Sequence, residues 1–264
     1  MNQHDADAIT QIERDTWNRS AASYIDRAAK LTTLAVDILI EAAHLTSESR
    51  ALEIGCGPGH ITKMMADTGA EATGVDLAPE MVKVASELHP NIEFREAHAE
   101  RLPFDAGTFD AVLVNFVFHH FARPEAVCAE IHRVLKPNGR LVFAGPSAQT
   151  GGFGGFLDAL TTYHTIRDER PHGPISTQAT EADFDDLLQE TEFGDCDVNA
   201  HELTLHLENL DPVIETGWEM FELSKLPQQT QDKIREMTLD NAAPYKTDRG
   251  YEFPSRVIVG VATK

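Results

Sequence analysis

The sequence predicts an α/β fold: a mostly parallel sheet with helices packed on both of its faces. Three observations carry the prediction. Short apolar runs of strand length alternate with stretches of helical period between residues 50 and 144, the pattern of successive βαβ units. One run, residues 109–114, is apolar at nearly every position, as in a strand buried on both faces. The first run opens directly into a glycine-rich turn and then a helix.

The first 50 residues read as helical, with Leu34, Val36, Ile38, Leu39 and Ile40 in a stretch free of Gly and Pro, broken by the polar run 46–49. Ala51-Leu52-Glu53-Ile54 is the first strand. A helix from His60 to Asp67 follows, with Gly69 as its stop. The second strand, 72–75, ends at Asp76. Pro79 stands where a first helical turn begins, because its missing N–H is not needed there. Met81, Val82, Val84, Ala85 and Leu88 carry that helix to His89-Pro90. Residues 91–94 give a third strand and 109–114 a fourth. Pro124 opens a helix whose Val127, Ile131, Val134 and Leu135 share one face. Pro137-Asn138-Gly139 turns the chain into a fifth strand, 141–144. Thr180 caps a helix with Phe184, Leu187 and Leu188 inward and Gly194 as its end. Two more strands, near 196–205 and 256–261, bring the sheet to seven. Between 208 and 252 the rhythm turns helical, with Trp218, Met220, Phe221, Leu223, Ile234 and Met237 as apolar positions. This segment reads as an insertion packed over the strand ends, and the glycine-rich stretch 149–155 as the most flexible loop.

At 264 residues the chain accommodates one large domain or two small ones. Its 42% hydrophobic and 25% charged residues exclude a collagen-like, coiled-coil or wholly disordered chain. Acidic residues outnumber basic ones 43 to 22, a formal net charge of −21. A nucleic-acid partner is disfavoured, since it asks for a basic face that neutralises phosphate. An anionic membrane surface is disfavoured for the same reason. Cys56, Cys128 and Cys196, with no CxxC pair, form neither a disulfide framework nor a zinc site and fit a reducing compartment. No metal site is expected: His164 and His172 lack ligand spacing with nearby carboxylates and read as solvated or structural. The N-terminus is polar and acidic, unlike a signal peptide, and every apolar run falls short of the ~18 residues of a membrane span. The expected location is the cytoplasm.

The turn after the first strand reads Gly55-Cys56-Gly57-Pro58-Gly59. Glycines at a strand-to-helix turn allow tight backbone conformations and close approach of a ligand. In open α/β sheets ligands lie at the carboxyl ends of the strands. A dinucleotide fingerprint would place its third glycine where this chain has His60, and no Gly-Lys-Ser/Thr follows for a phosphate loop. A nicotinamide oxidoreductase is thereby disfavoured. Asp76, at the next strand end, supplies a carboxylate able to accept two charge-assisted hydrogen bonds from a ribose diol.

The segments ALEIGCGPG, GVDLAPEMV, AERLPFDAGTFDAV, Phe118-His119-His120-Phe121 and EIHRVLKPNGRLV follow in that order. Over residues 48–145 this run resembles the successive motifs of class I S-adenosylmethionine-dependent methyltransferases, most closely the small-molecule branch of quinone-biosynthesis type. The flanks, 1–47 and 146–264, match only loosely. The resemblance implies a Rossmann-like, seven-stranded core at 48–206, after an N-terminal helical cap at 1–47. A helical lid insertion at 207–253 and a final strand at 254–264 complete the expected organisation. The implied cofactor is S-adenosyl-L-methionine. By position, Gly55, Gly57 and Gly59 would pass under its methionyl part, and Glu53 would face its ammonium, directly or through water. Asp76 would hold the ribose hydroxyls, Leu77 would lie against adenine, and Asn115 would offer a backbone carbonyl to the ammonium. The family's acid after the third strand, which accepts from the adenine amino group, is replaced here by Ala97-His98-Ala99. Either His98 accepts through a neutral ring nitrogen or the Ala99 amide carries adenine recognition alone. Tyr24, with Trp17, would close over the cofactor.

A sulfonium methyl is already activated. Its transfer by in-line displacement asks the protein for position, alignment and exclusion of water. A base helps where the acceptor is a hydroxyl or a protonated amine, and His119 and His120, just after the fourth strand, are the candidates. Phe153, Phe156, Leu157, Tyr163 and Trp218 stand where a lid would line an acceptor pocket. An inserted cover narrows the mouth of a site and implies a small, apolar or aromatic methyl acceptor. The rival readings are a methyltransferase acting on RNA or protein and a non-catalytic cofactor-binding module. Homodimerisation stays open.

Overall fold

The structure is a computed structural model that describes residues 3–27, 32–147, 154, 156, 158–160, 162, 173–175 and 179–264. Two helices lead: α1, Gln3–Arg27, and α2, Val36–Ala43. Alternation then follows: β1 (Arg50–Ile54), α3 (His60–Asp67), β2 (Glu71–Asp76), α4 (Pro79–Leu88), β3 (Glu93–Glu96), β4 (Phe109–Asn115), α5 (Pro124–Val134) and β5 (Leu135–Pro146). After it come α6 (Glu181–Gln189), β6 (Gly194–Leu207), α7 (Asp211–Met220), α8 (Gln228–Ala242), β7 (Lys246–Thr247) and β8 (Gly250–Thr263). Among the described residues, seven strands form one sheet in the order β3-β2-β1-β4-β5-β8-β6, and the two-residue β7 pairs with β8 as an eighth. Strands β1 to β5 are parallel, whereas β8 runs antiparallel to β5 and β6.

Alternate residues of the central strands bury on opposite faces, which is why their apolar runs are unbroken. On one face Leu52, Val112, Val114 and Phe143 meet Val127 and Ile131 of α5 and Phe184 of α6. On the other, Ala51, Leu113 and Val142 meet Leu39 of α2 and Ile61 and Met65 of α3. A third cluster joins Leu205 and Leu207 of β6 and Phe253 of β8 to Val213 and Ile214 of α7 and Ile234 of α8. Pro146 pairs with Val257, so residues 250–256 of β8 run on past the carboxyl end of β5, still paired with β6. The helical insertion sits on that extension, on the side where the parallel strands end. Helix α1 lies against α4 and α7; Asn18 Oδ1 accepts from the Glu80 amide at 3.1 Å.

Four boundaries differ from the sequence reading. Strand β3 begins two residues later, because the Ile92 amide still donates to His89 O and Phe94 must pair with Gly74, whose bare Cα leaves room for the Phe94 ring. Strand β5 begins at Leu135: the turn at Asn138 (φ 63°) is stitched to the last residue by Asn138 N–H to Lys264 O and Lys264 N–H to Gly139 O. Gly194 opens β6 rather than closing α6, which ends at Gln189; the Thr180 amide does bond Asp183 Oδ2 at 2.7 Å at its start. Finally, the segment read as helical carries the β7–β8 hairpin, with Lys246 opposite Tyr251.

One carboxyl group is enclosed in this core. Glu53 is 2% exposed, and its Oε2 accepts from the Thr62 hydroxyl. Burial raises it from the ordinary 4.5 to about 8, against the Thr62 hydrogen bonds and with help from nearby Asp76. Folded chains then hold a proton that unfolded chains have released, so stability falls as pH rises from about 4.5 to about 8. Glu53→Gln is expected to raise the melting temperature at pH 8 and to leave it unchanged at pH 4. The scale is about 2–4 °C per kcal/mol recovered; an equal offset at both pH values would contradict the assignment. Close packing gives a second test. Gly260 faces Phe143 across β5 and β8, and a Cβ there would stand 2.1 Å from Phe143 Cζ. Gly260→Ala should therefore cost about 1–3 kcal/mol, read from the urea midpoint.

Candidate active site

The turn between β1 and α3 is held from β2. The amides of Gly55 and Cys56 both donate to Val75 O, at 2.8 and 3.0 Å. Asp76 Oδ2 accepts from the Gly57 amide at 2.9 Å and Oδ1 from the Ala78 amide at 2.8 Å. All three glycines have positive φ, which favours glycine. Beyond that their surroundings differ. A Cβ on Gly55 would lie 2.6 Å from Val117 and one on Gly59 2.6 Å from the Phe94 ring, whereas one on Gly57 would meet only Tyr24 Cε1 at 4.0 Å. Gly57 therefore bares its backbone to open space.

That space is a cleft of about 120 Å³ at the carboxyl ends of β1, β2 and β4. Of the residues expected at a site, Tyr24, Gly55, Gly57, Asp76, Leu77, His98, Ala99, Asn115 and His120 line it together, as does Trp17. Glu53, Gly59 and His119 do not. Glu53 turns to Thr62, and Gly59 caps α3. Phe156 is buried in the third core cluster, where Trp218 packs 6.2 Å from it between ring centroids. Phe153, Leu157, Tyr163, His164 and His172, and all of the stretch 149–155 except Gly154, lie outside the described residues.

The wall chemistry is acidic. Glu13, Asp76 and Glu100 line the cleft with no Lys or Arg among the described lining residues, Glu100 being paired with Arg123 outside that lining. Burial raises Asp76, while the Ala78 and Gly57 amides oppose the shift. Burial pushes the Tyr24 phenol up to about 12, with Asp76 and Glu53 adding to it. Such a wall favours a cationic ligand and disfavours a pyrophosphate.

Two polar side chains show what they have left to offer. Asn115, 6% exposed, donates Nδ2–H to Thr32 O at 2.8 Å, which fixes its amide orientation. Its Oδ1 is buried and has no partner among the described residues. A buried bare acceptor costs about 1–3 kcal/mol unless a ligand supplies a donor. His98 Nδ1 accepts from the Glu100 amide at 3.2 Å, so the neutral ring carries its hydrogen on Nε2. The ring thus presents a donor to the cleft and not the acceptor that replacement of the family's acid would suggest. At β4's end, Phe116 has φ 55°, a turn off the sheet that brings Val117 against Gly55.

His119 and His120 share a 3-10 turn, Phe118–His120, with ring centroids 4.0 Å apart. His119 Nδ1 is buried without a partner among the described residues, and burial pulls the ring well below 6.5. His120 Nδ1 is 2.9 Å from Glu13 Oε2. Sequence reading named Trp17 and Tyr24 of α1 but passed over Glu13. The available signal was spacing: Glu13 lies four residues before Trp17, on the same helix face.

Residues 52–143 match the family described as a methyltransferase domain. The demethylmenaquinone methyltransferase of Chlorobaculum tepidum is 42% identical over 93 residues, 35% of this chain and 38% of that one. Three further curated relatives are covered over 52–56% of their length, so the chain spans about half of each. The crystal structure of YcgJ from Bacillus subtilis is similar with a TM-score of 0.61 at 20% identity, over 87% of this chain and 97% of that one. Phosphoethanolamine N-methyltransferase 2 of Haemonchus contortus, solved with S-adenosyl-L-methionine, gives 0.55 at 20% identity, over 87% of this chain and 51% of that one. At such identities the structural likeness establishes the fold. The matched segment contains the glycine turn, Asp76, His98, Asn115 and His120, whereas α1 and everything after β5 fall outside it. Residues 52–143 thus match a methyltransferase-domain family and lie in a Rossmann-like sheet.

Proposed function

We propose that the chain transfers a methyl group from S-adenosyl-L-methionine to a small, apolar or aromatic acceptor. The observation that carries this reading is the acid-walled cleft over Gly57, where a bare backbone meets a carboxylate and an unpaired acceptor. The residues present fit that cofactor. A side chain at Gly57 would fill the floor, Asn115 Oδ1 lacks a donor, and Asp76 has lone pairs left after bonding two amides. Asp76 holds the ribose diol. Leu77 lies against adenine, whose edge receives donors from the Ala99 amide and His98 Nε2–H. Asn115 Oδ1 accepts from the methionyl ammonium, and Tyr24 closes over the floor at Gly57. Glu53, one layer below and held by Thr62, stays protonated near neutrality and contributes its charge only where a cation draws the proton off.

When bound, this cofactor supplies a methyl group activated by its own sulfonium charge. The chain aligns the acceptor for in-line displacement and excludes water, work that can lower a barrier by about 7–11 kcal/mol. The acceptor class is supported by the name of the Chlorobaculum relative, an enzyme of demethylmenaquinone. The helices α7 and α8 act as a lid beyond the strand ends. RNA is disfavoured because no Lys or Arg stands among the described residues of the cleft wall.

Two variants test the reading. Gly57→Val should abolish binding of the cofactor and of S-adenosylhomocysteine in calorimetry, because the new side chain enters the cleft. Asp76→Ala should weaken binding by about 1.5–3 kcal/mol, roughly tenfold to 150-fold. Wild-type affinity in either variant would remove the basis of the proposal.

A further inference from the structure

We infer that Glu13 is a positioning residue for His120, and that His120 so held is the general base for a hydroxyl or thiol acceptor. The inference deepens the proposed function and rests on it. Glu13 Oε2 receives two donors: His120 Nδ1 at 2.9 Å and Trp17 Nε1 at 3.0 Å. Trp17 also stands edge-on to the His120 ring, with centroids 5.2 Å apart and planes at 88°. An ionised carboxylate only accepts, so the nitrogen facing it carries the hydrogen. In the neutral ring Nε2 is then a bare lone pair. No protein group among the described residues bonds it, and the ring lines the cleft with Asp76 and Asn115. A base whose second nitrogen is fixed by a carboxylate has the geometry that nucleophile activation uses.

The acceptor class follows from the chemistry. A thioether or tertiary amine has no proton to lose and gains nothing from such a base. A hydroxyl or thiol does: its O–H or S–H bond breaks and the proton goes to Nε2. The freed electron pair forms the new bond to the methyl carbon, and the pair of the broken C–S bond stays on the sulfur, which becomes neutral. The ring leaves this step as imidazolium. The charged groups facing it are Glu13 from α1 and Asp76 at the end of β2; on its own turn His119, kept neutral by burial, adds no charge. Two carboxylates thus stabilise the charge as the proton arrives.

The test compares wild type with Glu13→Ala and Glu13→Gln. Ring 15N chemical shifts of the ligand-free protein should show His120 with its hydrogen on Nδ1, a preference lost in the alanine variant and kept in glutamine, whose oxygen still accepts. With catechol, hydroquinone and an aryl thiol as probes, product gains one methyl mass. Glu13→Ala should lower kcat about a hundredfold with KM little changed, and Glu13→Gln should recover part of it. Unchanged kcat or an unchanged ring tautomer in Glu13→Ala overturns the inference. So does product from a thioether or tertiary amine with none from the three protic probes, or no product from any probe. Calorimetry with S-adenosylhomocysteine separates the two claims: wild-type protein that fails to bind it overturns the function, and binding with any of the outcomes above overturns only the base.

Discussion

Everything around the cleft depends on one carboxylate accepting two backbone hydrogens. Asp76 ends β2, and its oxygens take the amides of Gly57 and Ala78. The first bond sets the floor of the site and the second sets the approach to α4. Val75 O, one residue earlier, accepts from Gly55 and Cys56 and closes the same turn from beneath. A single strand end therefore holds the loop of its neighbour in a left-handed path that only glycine follows easily. Hydrogen bonds to an ionised acceptor are the stronger kind, so the loop is preorganised before any ligand arrives.

The same constraint sets the electrostatics. Keeping Asp76 buried beside Glu53 and under Tyr24 makes each of the three harder to ionise. Taken by itself that is a cost. A cationic ligand offsets it by giving the carboxylates a partner. The acid bias of the whole chain, a net charge of −21, continues into the wall instead of reversing there. An anionic ligand would meet repulsion from the surface and from the wall alike, and this separates the site from a dinucleotide site more sharply than glycine spacing does.

The fold from β1 to β5 was legible because its signals are local. Proline at a first helical turn, glycine after a strand and unbroken apolar runs each act over a few residues. The extent of β5 was not, because its early pairing rests on Lys264, 126 residues beyond Asn138. The start of β3 was hidden for a similar reason: it is set by the Phe94 ring against Gly74. In the site, motif residues were identifiable by type and order, but what each had left to offer was not. Only geometry shows that Glu53 is turned to Thr62, that His98 already spends its acceptor on Glu100, and that Asn115 spends its donor on Thr32. Glu13 escaped because no motif contains it.

That last omission bears on how likeness transfers function. The segment that matches the methyltransferase-domain family carries the floor of the cleft. The outer wall comes from α1, tied to the core by Arg14 with Glu96, Asn18 with the Glu80 amide, and Ala21 against Ala78 and Met81. Helices α7 and α8 are seated on the overhang of β6 and β8. Neither lies in the matched segment. Under the proposed function the nucleoside would be held at that floor, so the floor bears on what donates the methyl group. Under the proposed function the acceptor would enter from the opposite side, against the wall from α1 and the helices α7 and α8. Likeness in residues 52–143 therefore argues chiefly for the donor, and beyond the name of a relative the acceptor is argued from α1, α7 and α8 of this chain.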